Sequence, residues 1–106
     1  MKTVSEVMRT KTYNYRRYDE KRFGTREKTV GAGWMKEFVL NSGCKCHWCE
    51  KEFDAREIGL DRIDNSQGHW EGNVLPSCRK CNNTRGNMTV RVFRAKIKSG
   101  QIKLGE

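Results

Sequence analysis

The stretch that decides the fold runs from Gly43 to Gly86 and is bounded by two short cysteine pairs, Cys46-His47-Trp48-Cys49 and Cys78-Arg79-Lys80-Cys81. A Cys-x-x-Cys pair wraps one side of a small ion, and two pairs complete a tetrahedral zinc site with Zn–S bonds of about 2.3 Å. The 28 residues between Cys49 and Cys78 fit a site assembled from two such knuckles. The sequence therefore predicts structural Zn²⁺ held by all four cysteines of the two pairs.

Length and composition support a metal staple. A chain of 106 residues with 35% hydrophobic residues can bury only a small core, so we expect a metal to stabilise it. Cys44 is the spare fifth cysteine because Cys46 and Cys49 have the more usual spacing, and His47 inside the knuckle is expected to point away from the ion.

The number of cysteines and the N-terminal sequence favour an intracellular setting. Five cysteines suit a disulfide scaffold poorly, and no N-terminal stretch resembles a signal peptide. We expect a cytoplasmic protein, which means the host-cell interior if a phage or virus encodes it. No apolar run reaches the roughly 20 residues that span a bilayer, so the sequence predicts no membrane association.

The net charge of +9 is distributed unevenly along the chain. Residues 1–29 carry nine Lys/Arg against four Asp/Glu, residues 30–78 five against eight, and residues 79–106 eight against one. Basic flanks suit a polyanion, and an acidic centre suits a divalent cation placed against it. Basic tails that only keep the protein soluble are the alternative. The alternation of charge favours DNA as the partner of a monomer or homodimer.

Residues 1–30 show no clean period and are predicted to form a basic, aromatic N-terminal arm ahead of a domain at 31–106. The arm either stacks on bases and grips phosphates or packs its aromatic side chains on the domain.

In the domain the pattern predicts a helix at 34–40, strands at 58–63 and 70–75 ended by Pro76, and a helix at 78–86 capped by Ser77. A last amphipathic helix runs from Thr89 to Gly100. The predicted fold class is thus α+β.

Two polar residues of the centre have the chemistry of a second metal site. Asp61 follows the apolar part of the first strand, and Asn82 comes one residue after a predicted zinc ligand that would fix its position. A carboxylate and an amide oxygen are hard ligands suited to Mg²⁺, which takes the rest of its shell from water and substrate phosphate. Such an ion polarises a phosphate and stabilises a leaving oxygen.

The chain resembles the HNH endonucleases, specifically the four-cysteine branch common in phages and large DNA viruses that includes recombination endonuclease VII-like enzymes. The resemblance covers about residues 33–98 and rests on Cys46-x-x-Cys49, Leu60-Asp61-Arg62-Ile63-Asp64-Asn65, Gly68, Asn73-Val74, Cys78-x-x-Cys81-Asn82 and Arg85-Gly86.

It implies a small ββα-metal, treble-clef-like, zinc-stapled domain with flanking helices that hydrolyses DNA phosphodiesters using Mg²⁺ or Mn²⁺. In this resemblance Asp61 and Asn82 match the ligands of the catalytic ion, and Asn73 matches a residue that orients the general base or shapes the loop.

One departure from the family concerns the general base. Arg62 stands where the family has its first histidine, and a guanidinium stays protonated at any working pH. His69 is the leading substitute because it titrates near neutrality on a loop facing the same cleft, the alternative being an exposed loop histidine. Arg62 either contacts the scissile phosphate or forms an ion pair with Asp64.

The sequence thus predicts a DNA-cutting or DNA-nicking endonuclease. Its competitors are a catalytically impaired zinc module that binds nucleic acid, and an adaptor that holds a protein partner. We expect Asp61→Ala to abolish cleavage and leave the fold intact, and deletion of residues 1–29 to weaken DNA binding. The expected DNA contacts, mostly to phosphates, are Arg16, Arg17, Arg79, Lys80, Arg85, Arg91 and Arg94.

Overall fold

The computed structural model describes residues 1–104, and within them four α-helices surround one pair of antiparallel strands. The helices are α1 (Val4–Phe23), α2 (Ala32–Asn41), α3 (Arg79–Arg85) and α4 (Val90–Lys98), and the strands are β1 (Ile58–Arg62) and β2 (Val74–Cys78). A 3₁₀ turn at Ala55–Glu57 leads into β1. The predicted α+β class is confirmed. No helix within this described part is long and apolar enough to cross a membrane.

Helix α1 replaces the irregular arm that the sequence predicted. It begins with a capping box between Thr3 and Glu6 and ends at Gly24, whose φ of 76° is the left-handed conformation favoured by glycine. Its buried residues are Met8, Thr12 and Asp19. Two of these three are polar, so the buried face of α1 does not appear in the sequence as a helical repeat of hydrophobic residues.

The main core crosses the predicted boundary at residue 30. Met8 from α1 packs with Met35 and Val39 from α2 and with Ile58 and Leu60 from β1. Deletion of residues 1–29 would therefore remove part of this core, so that truncation does not isolate a contribution to DNA binding, contrary to the expectation from sequence.

The predicted hairpin is present, with its second strand shifted towards the C-terminus. The register runs from Ile58 opposite Cys78 to Arg62 opposite Val74, and it places Pro76 opposite Leu60 within the sheet. The N–H of Leu60 points outward to Tyr15 Oη at 3.0 Å, and the Pro76 carbonyl accepts from His47 N at 2.7 Å. Pro76 does not end the strand because at an edge position its missing N–H removes no ladder bond.

The last two helices begin at side-chain caps. The N-cap of α3 is Cys78, whose Sγ accepts from Cys81 N, so Ser77 does not have the predicted capping role. Thr89 caps α4, and Phe93 of α4 is buried with its ring 4.8 Å from that of Trp48. This contact holds α4 against the first knuckle.

Candidate functional site

Four cysteines form a close cluster between the first knuckle, the end of β2 and the first turn of α3. The Sγ atoms of Cys46, Cys49, Cys78 and Cys81 all lie within 4.8 Å of one another, and all but Cys49 are buried. Cys44 is outside this group. The cluster could hold a metal such as zinc.

The donor set of this cluster fits a tetrahedral zinc ion. Bonds of about 2.3 Å separate the sulfur atoms of a tetrahedron by about 3.8 Å, which agrees with the close grouping of the thiols. Burial opposes ionisation of Cys46, but backbone N–H donors, chiefly from Cys49 and Cys78, lower its pKa to about 7. Burial and the neighbouring thiols raise the pKa of Cys81. A divalent ion would stabilise the thiolates that this crowding otherwise disfavours.

A second feature is a cavity of about 360 Å³ between α1, β1, the loop after β1 and α3. Its lining includes Asp61, Arg62, His69 and Asn82, four of the five residues predicted to be catalytic. Tyr15 and Tyr18 from α1 form another wall of this cavity. The fold thus brings together a carboxylate, an amide, an imidazole and a guanidinium that are distributed over 22 positions of the sequence.

Asp61 is 5% exposed, and both of its carboxylate oxygens accept hydrogen bonds. Trp48 Nε1 donates to Oδ2 at 2.8 Å, and Arg85 Nη1 donates to Oδ1 at 2.6 Å. Burial raises the pKa of Asp61, while the bonds from Trp48 and Arg85 oppose that shift. Each oxygen keeps a lone pair for a metal ion because each accepts one bond from these partners.

Arg85 is a structural residue in this arrangement, which corrects its predicted role as a DNA contact. It is 1% exposed, and its guanidinium also donates to the carbonyls of Arg62, Ile63 and Met88. A side chain so enclosed cannot reach a phosphate outside the protein. Its position holds the end of β1 against α3.

The Asp61–Arg85 pair changes what we expect from Asp61→Ala. Alanine would leave a buried guanidinium without its counter-ion, which typically costs about 3–5 kcal/mol. We therefore expect a loss of that order in the free energy of unfolding, measured with urea, whereas the sequence predicted an intact fold. Asp64→Ala is the control, because Asp64 is exposed and its carboxylate accepts hydrogen bonds from the neighbouring Ser66. Equal unfolding free energies for the two variants would contradict this prediction.

His69 is buried and paired, so it is not the exposed loop histidine of the alternative reading. Its Nδ1 lies 2.8 Å from Asp19 Oδ1, and its ring stacks on Tyr15 with centroids 4.1 Å apart. Burial lowers the pKa of His69, and the hydrogen bond and charge of Asp19 partly offset that effect. The lowered pKa favours the neutral ring, which is the form that can accept a proton.

Arg62 lines the cavity but does not pair with Asp64. Its guanidinium donates to the carbonyls of Asn65 and Gln67 and to Tyr18 Oη at 3.0 Å, and it lies 4.9 Å from the centroid of the Tyr18 ring. Arg62 thus fastens the loop after β1 to α1.

Asn73 braces the same loop from the other side. Its Oδ1 accepts from Asp64 N at 2.9 Å, and its Nδ2 donates to the carbonyls of Asp64 and Gly68. Asn73 is therefore placed to shape the loop that carries His69, which is one of the two roles considered from sequence.

A larger cavity of about 700 Å³ shares the walls Tyr15 and Asn82 with the first one. Its lining carries five Lys/Arg side chains and one carboxylate, Glu57. The predicted DNA contacts Arg79 and Lys80 are among them and are exposed. Arg17, Arg91 and Arg94 are also exposed, and Arg16 is half-buried.

Sequence reasoning missed three residues that line or support the smaller cavity. Tyr15 lines it, Asp19 bonds to His69, and Trp48 bonds to Asp61. Asp19 and Tyr15 lie on α1, and Trp48 lies inside the first knuckle. Trp48 stands between two cysteines, and this position was a signal for a role near the metal cluster. Asp19 and Tyr15 had no such local signal, because they are 50 and 54 residues from His69 in the sequence.

Comparison with known proteins assigns no family. No protein-family model matches the chain. A stretch of 58 residues, 55% of the chain, is 29% identical to an uncharacterized protein of Acanthamoeba polyphaga mimivirus. The match covers 11% of that viral protein, so the chain spans only a small part of its length.

Proposed function

We propose that this protein is a metal-dependent DNA endonuclease with a zinc-stapled ββα-metal domain of the HNH type. The observation that carries the proposal is the cavity in which Asp61, His69 and Asn82 meet. The sequence assigned Asp61 and Asn82 to an ion and His69 to a base on a loop facing the same cleft. Such convergence of a carboxylate, an amide and an imidazole suits phosphodiester hydrolysis.

Asp61 and Asn82 would hold the divalent ion. Both line the cavity, and the bonds from Trp48 and Arg85 fix the Asp61 carboxylate without using all of its lone pairs. An ion bound there would supply charge stabilisation for the phosphate and for the leaving oxygen. A treble-clef arrangement would fit this scheme, because Cys81, a cluster cysteine, directly precedes Asn82 on α3.

His69 would accept the proton of the attacking water. In this step water oxygen forms a bond to phosphorus, the bond from phosphorus to the 3′ oxygen breaks, and the proton passes to the imidazole. The 3′ oxygen takes a proton from solvent. Arg62 lies on the same wall, and its positive charge would attract the phosphate.

The charge distribution would bind the DNA backbone. Arg79 and Lys80 lie on the wall of the larger cavity, which adjoins the catalytic one, and the net charge of +9 favours a polyanion. Arg16, Arg17, Arg91 and Arg94 would extend this contact along α1 and α4. Contacts of this kind grip phosphates and read no sequence.

Substitution of Asn82 by alanine tests the endonuclease proposal. We expect the zinc-loaded protein to nick supercoiled plasmid only when Mg²⁺ or Mn²⁺ is added, and Asn82→Ala to lower the rate by about 10–100-fold, the usual effect of weakening a metal site. Agarose gels at increasing Mg²⁺ should show that the variant needs more ion for half-maximal rate.

Asn83→Ala is the matched control, since Asn83 is the exposed neighbour of Asn82 on the same helix. It should cut as fast as the parent. A parent that cuts none of duplex, branched and single-stranded DNA with either ion would overturn the proposal.

One observation favours a second function, that of a catalytically impaired module that binds nucleic acid. Asp61 is paired with the buried Arg85, and that pair alone gives Asp61 a structural role. Under this reading plasmid stays intact, while a gel shift still shows binding that weakens as salt rises.

A further inference from the structure

The carboxylate of Asp19 on α1 makes hydrogen bonds to His69 and to Thr29. The residue is fully buried, and each carboxylate oxygen has partners. Oδ1 lies 2.8 Å from His69 Nδ1, while Oδ2 accepts from the backbone N–H of His69 at 2.8 Å and from Thr29 Oγ1 at 2.7 Å. A buried carboxylate is costly unless donors surround it, so this position is built for a charged or polar partner.

The imidazole of His69 is held on its other sides as well. Its ring stacks on Tyr15 at an interplanar angle of 16° and meets the edge of Tyr18 at 5.8 Å between centroids. Tyr15 is itself fixed because its hydroxyl accepts from Leu60 N. Gly68 allows the side chains of Asp19 and Trp70 to approach the backbone beside His69 closely. A Cβ at residue 68 would lie 2.8 Å from Asp19 Cγ and 2.6 Å from Trp70 Nε1.

The remaining nitrogen of the His69 ring is Nε2. Within residues 1–104, Nε2 has no hydrogen-bond partner, and Trp70 Nε1 is the one fully buried side-chain nitrogen or oxygen without a partner. Nε2 therefore keeps solvent access. His69 lines the cavity that also contains Asp61 and Asn82, and we take this cavity as the space that Nε2 faces.

We propose that Asp19 is the positioning residue of this site, holding His69 as the Nδ1–H tautomer so that an unprotonated Nε2 faces the cavity. The tautomer follows from the carboxylate, which can only accept a hydrogen bond when ionised, so the Nδ1 opposite it must donate. The catalytic meaning of this arrangement rests on the proposed endonuclease function. A carboxylate that orients an imidazole in this way stabilises the imidazolium formed when the base accepts a proton.

Asp19→Asn reverses the tautomer without changing the shape of the side chain. The backbone N–H of His69 always donates, so the asparagine oxygen must take the place of Oδ2. The asparagine NH₂ then faces Nδ1 and donates to it, which moves the imidazole proton to Nε2. A protonated Nε2 cannot accept a proton from water.

Nitrogen-15 NMR of the imidazole rings tests the proposal directly on the zinc-loaded protein at pH 8. The chain has two histidines, so His47→Asn assigns the two sets of signals. We expect the His69 proton on Nδ1 in the parent and on Nε2 in Asp19→Asn. Thr29→Val is the matched control, because it removes the other side-chain donor to Asp19 and should leave the proton on Nδ1. A parent with its proton on Nε2, or one tautomer in both proteins, overturns the proposal.

Cleavage kinetics separate this proposal from the proposed function. If the parent cuts DNA, Asp19→Asn should lower kcat by about 10²–10⁴-fold with KM unchanged, because only the general base is lost. Equal kcat values would overturn the positioning role. If the parent does not cut DNA, the endonuclease proposal fails, and the tautomer experiment still decides whether Asp19 sets the state of His69.

Discussion

Cys81→Ser should unfold the domain and abolish the zinc binding that we propose for the four-cysteine cluster. Cys81 is buried in the four-cysteine cluster, which joins the first knuckle to β2 and α3 and packs beside Trp48 and Phe53. Structural zinc sites contribute apparent free energies of about 10–16 kcal/mol, which is comparable to the total of about 5–15 kcal/mol that typically stabilises a domain. Circular dichroism should show loss of helix, and elemental analysis should find about one zinc per parent chain and less in the variant.

Cys44→Ser provides the matched control for this prediction. Cys44 lies two residues before the cluster cysteine Cys46 but outside the cluster, so its serine variant should keep both the metal and the cooperative melting curve of the parent. The prediction fails if Cys81→Ser melts like Cys44→Ser, or if the purified parent holds much less than one zinc per chain. Either result would mean that packing alone sustains this small core.

The local motifs were the predictable part of this protein. The cysteine pairs, the hairpin between them and the helix after the second pair depend on neighbours in sequence, so spacing and turn residues are enough to find them. The limits of β2 were harder because Pro76 normally ends pairing. Its tolerance here depends on a two-stranded sheet whose edge position was not readable from the sequence.

Helix α1 shows why the rest could not be predicted. A periodicity search finds apolar stripes, but α1 turns Thr12 and Asp19 into the domain, and their buried positions are stabilised by hydrogen bonds to distant or backbone partners. The same limit applies to Arg85, which sequence reasoning placed on the surface because charged residues are mostly exposed. Only tertiary packing brings it to Asp61.

The catalytic candidates nevertheless lie close together, as the sequence predicted. Asp61, His69 and Asn82 were selected for their chemistry, and the fold lines one cavity with all three. What the sequence did not contain was their environment. Asp61 is fixed by Arg85 and Trp48, and these partners decide how a variant at the site can be interpreted.

His69→Asn should reduce the proposed cleavage by about 10²–10⁴-fold, the usual cost of losing a general base. The asparagine Nδ2 takes the place of His69 Nδ1 and can still donate to Asp19, so the buried carboxylate keeps its partner. Only the atom that would accept the proton is removed. Initial rates of plasmid nicking with saturating Mg²⁺ measure the effect, and the zinc content verifies the fold.

The expected pH dependence gives this prediction a second readout. The base works when neutral, so the parent's rate should rise with pH through the pKa of His69, which burial lowers below the ordinary histidine value. His47→Asn is the matched control, because it removes the other histidine, an exposed residue of the first knuckle, and should change neither the rate nor the profile. If His69→Asn cuts as fast as His47→Asn, His69 is not the base. If His69→Asn cuts slowly but keeps the parent's rise with pH, the rise belongs to another group, and Asp61, whose pKa burial raises, is the next residue to substitute.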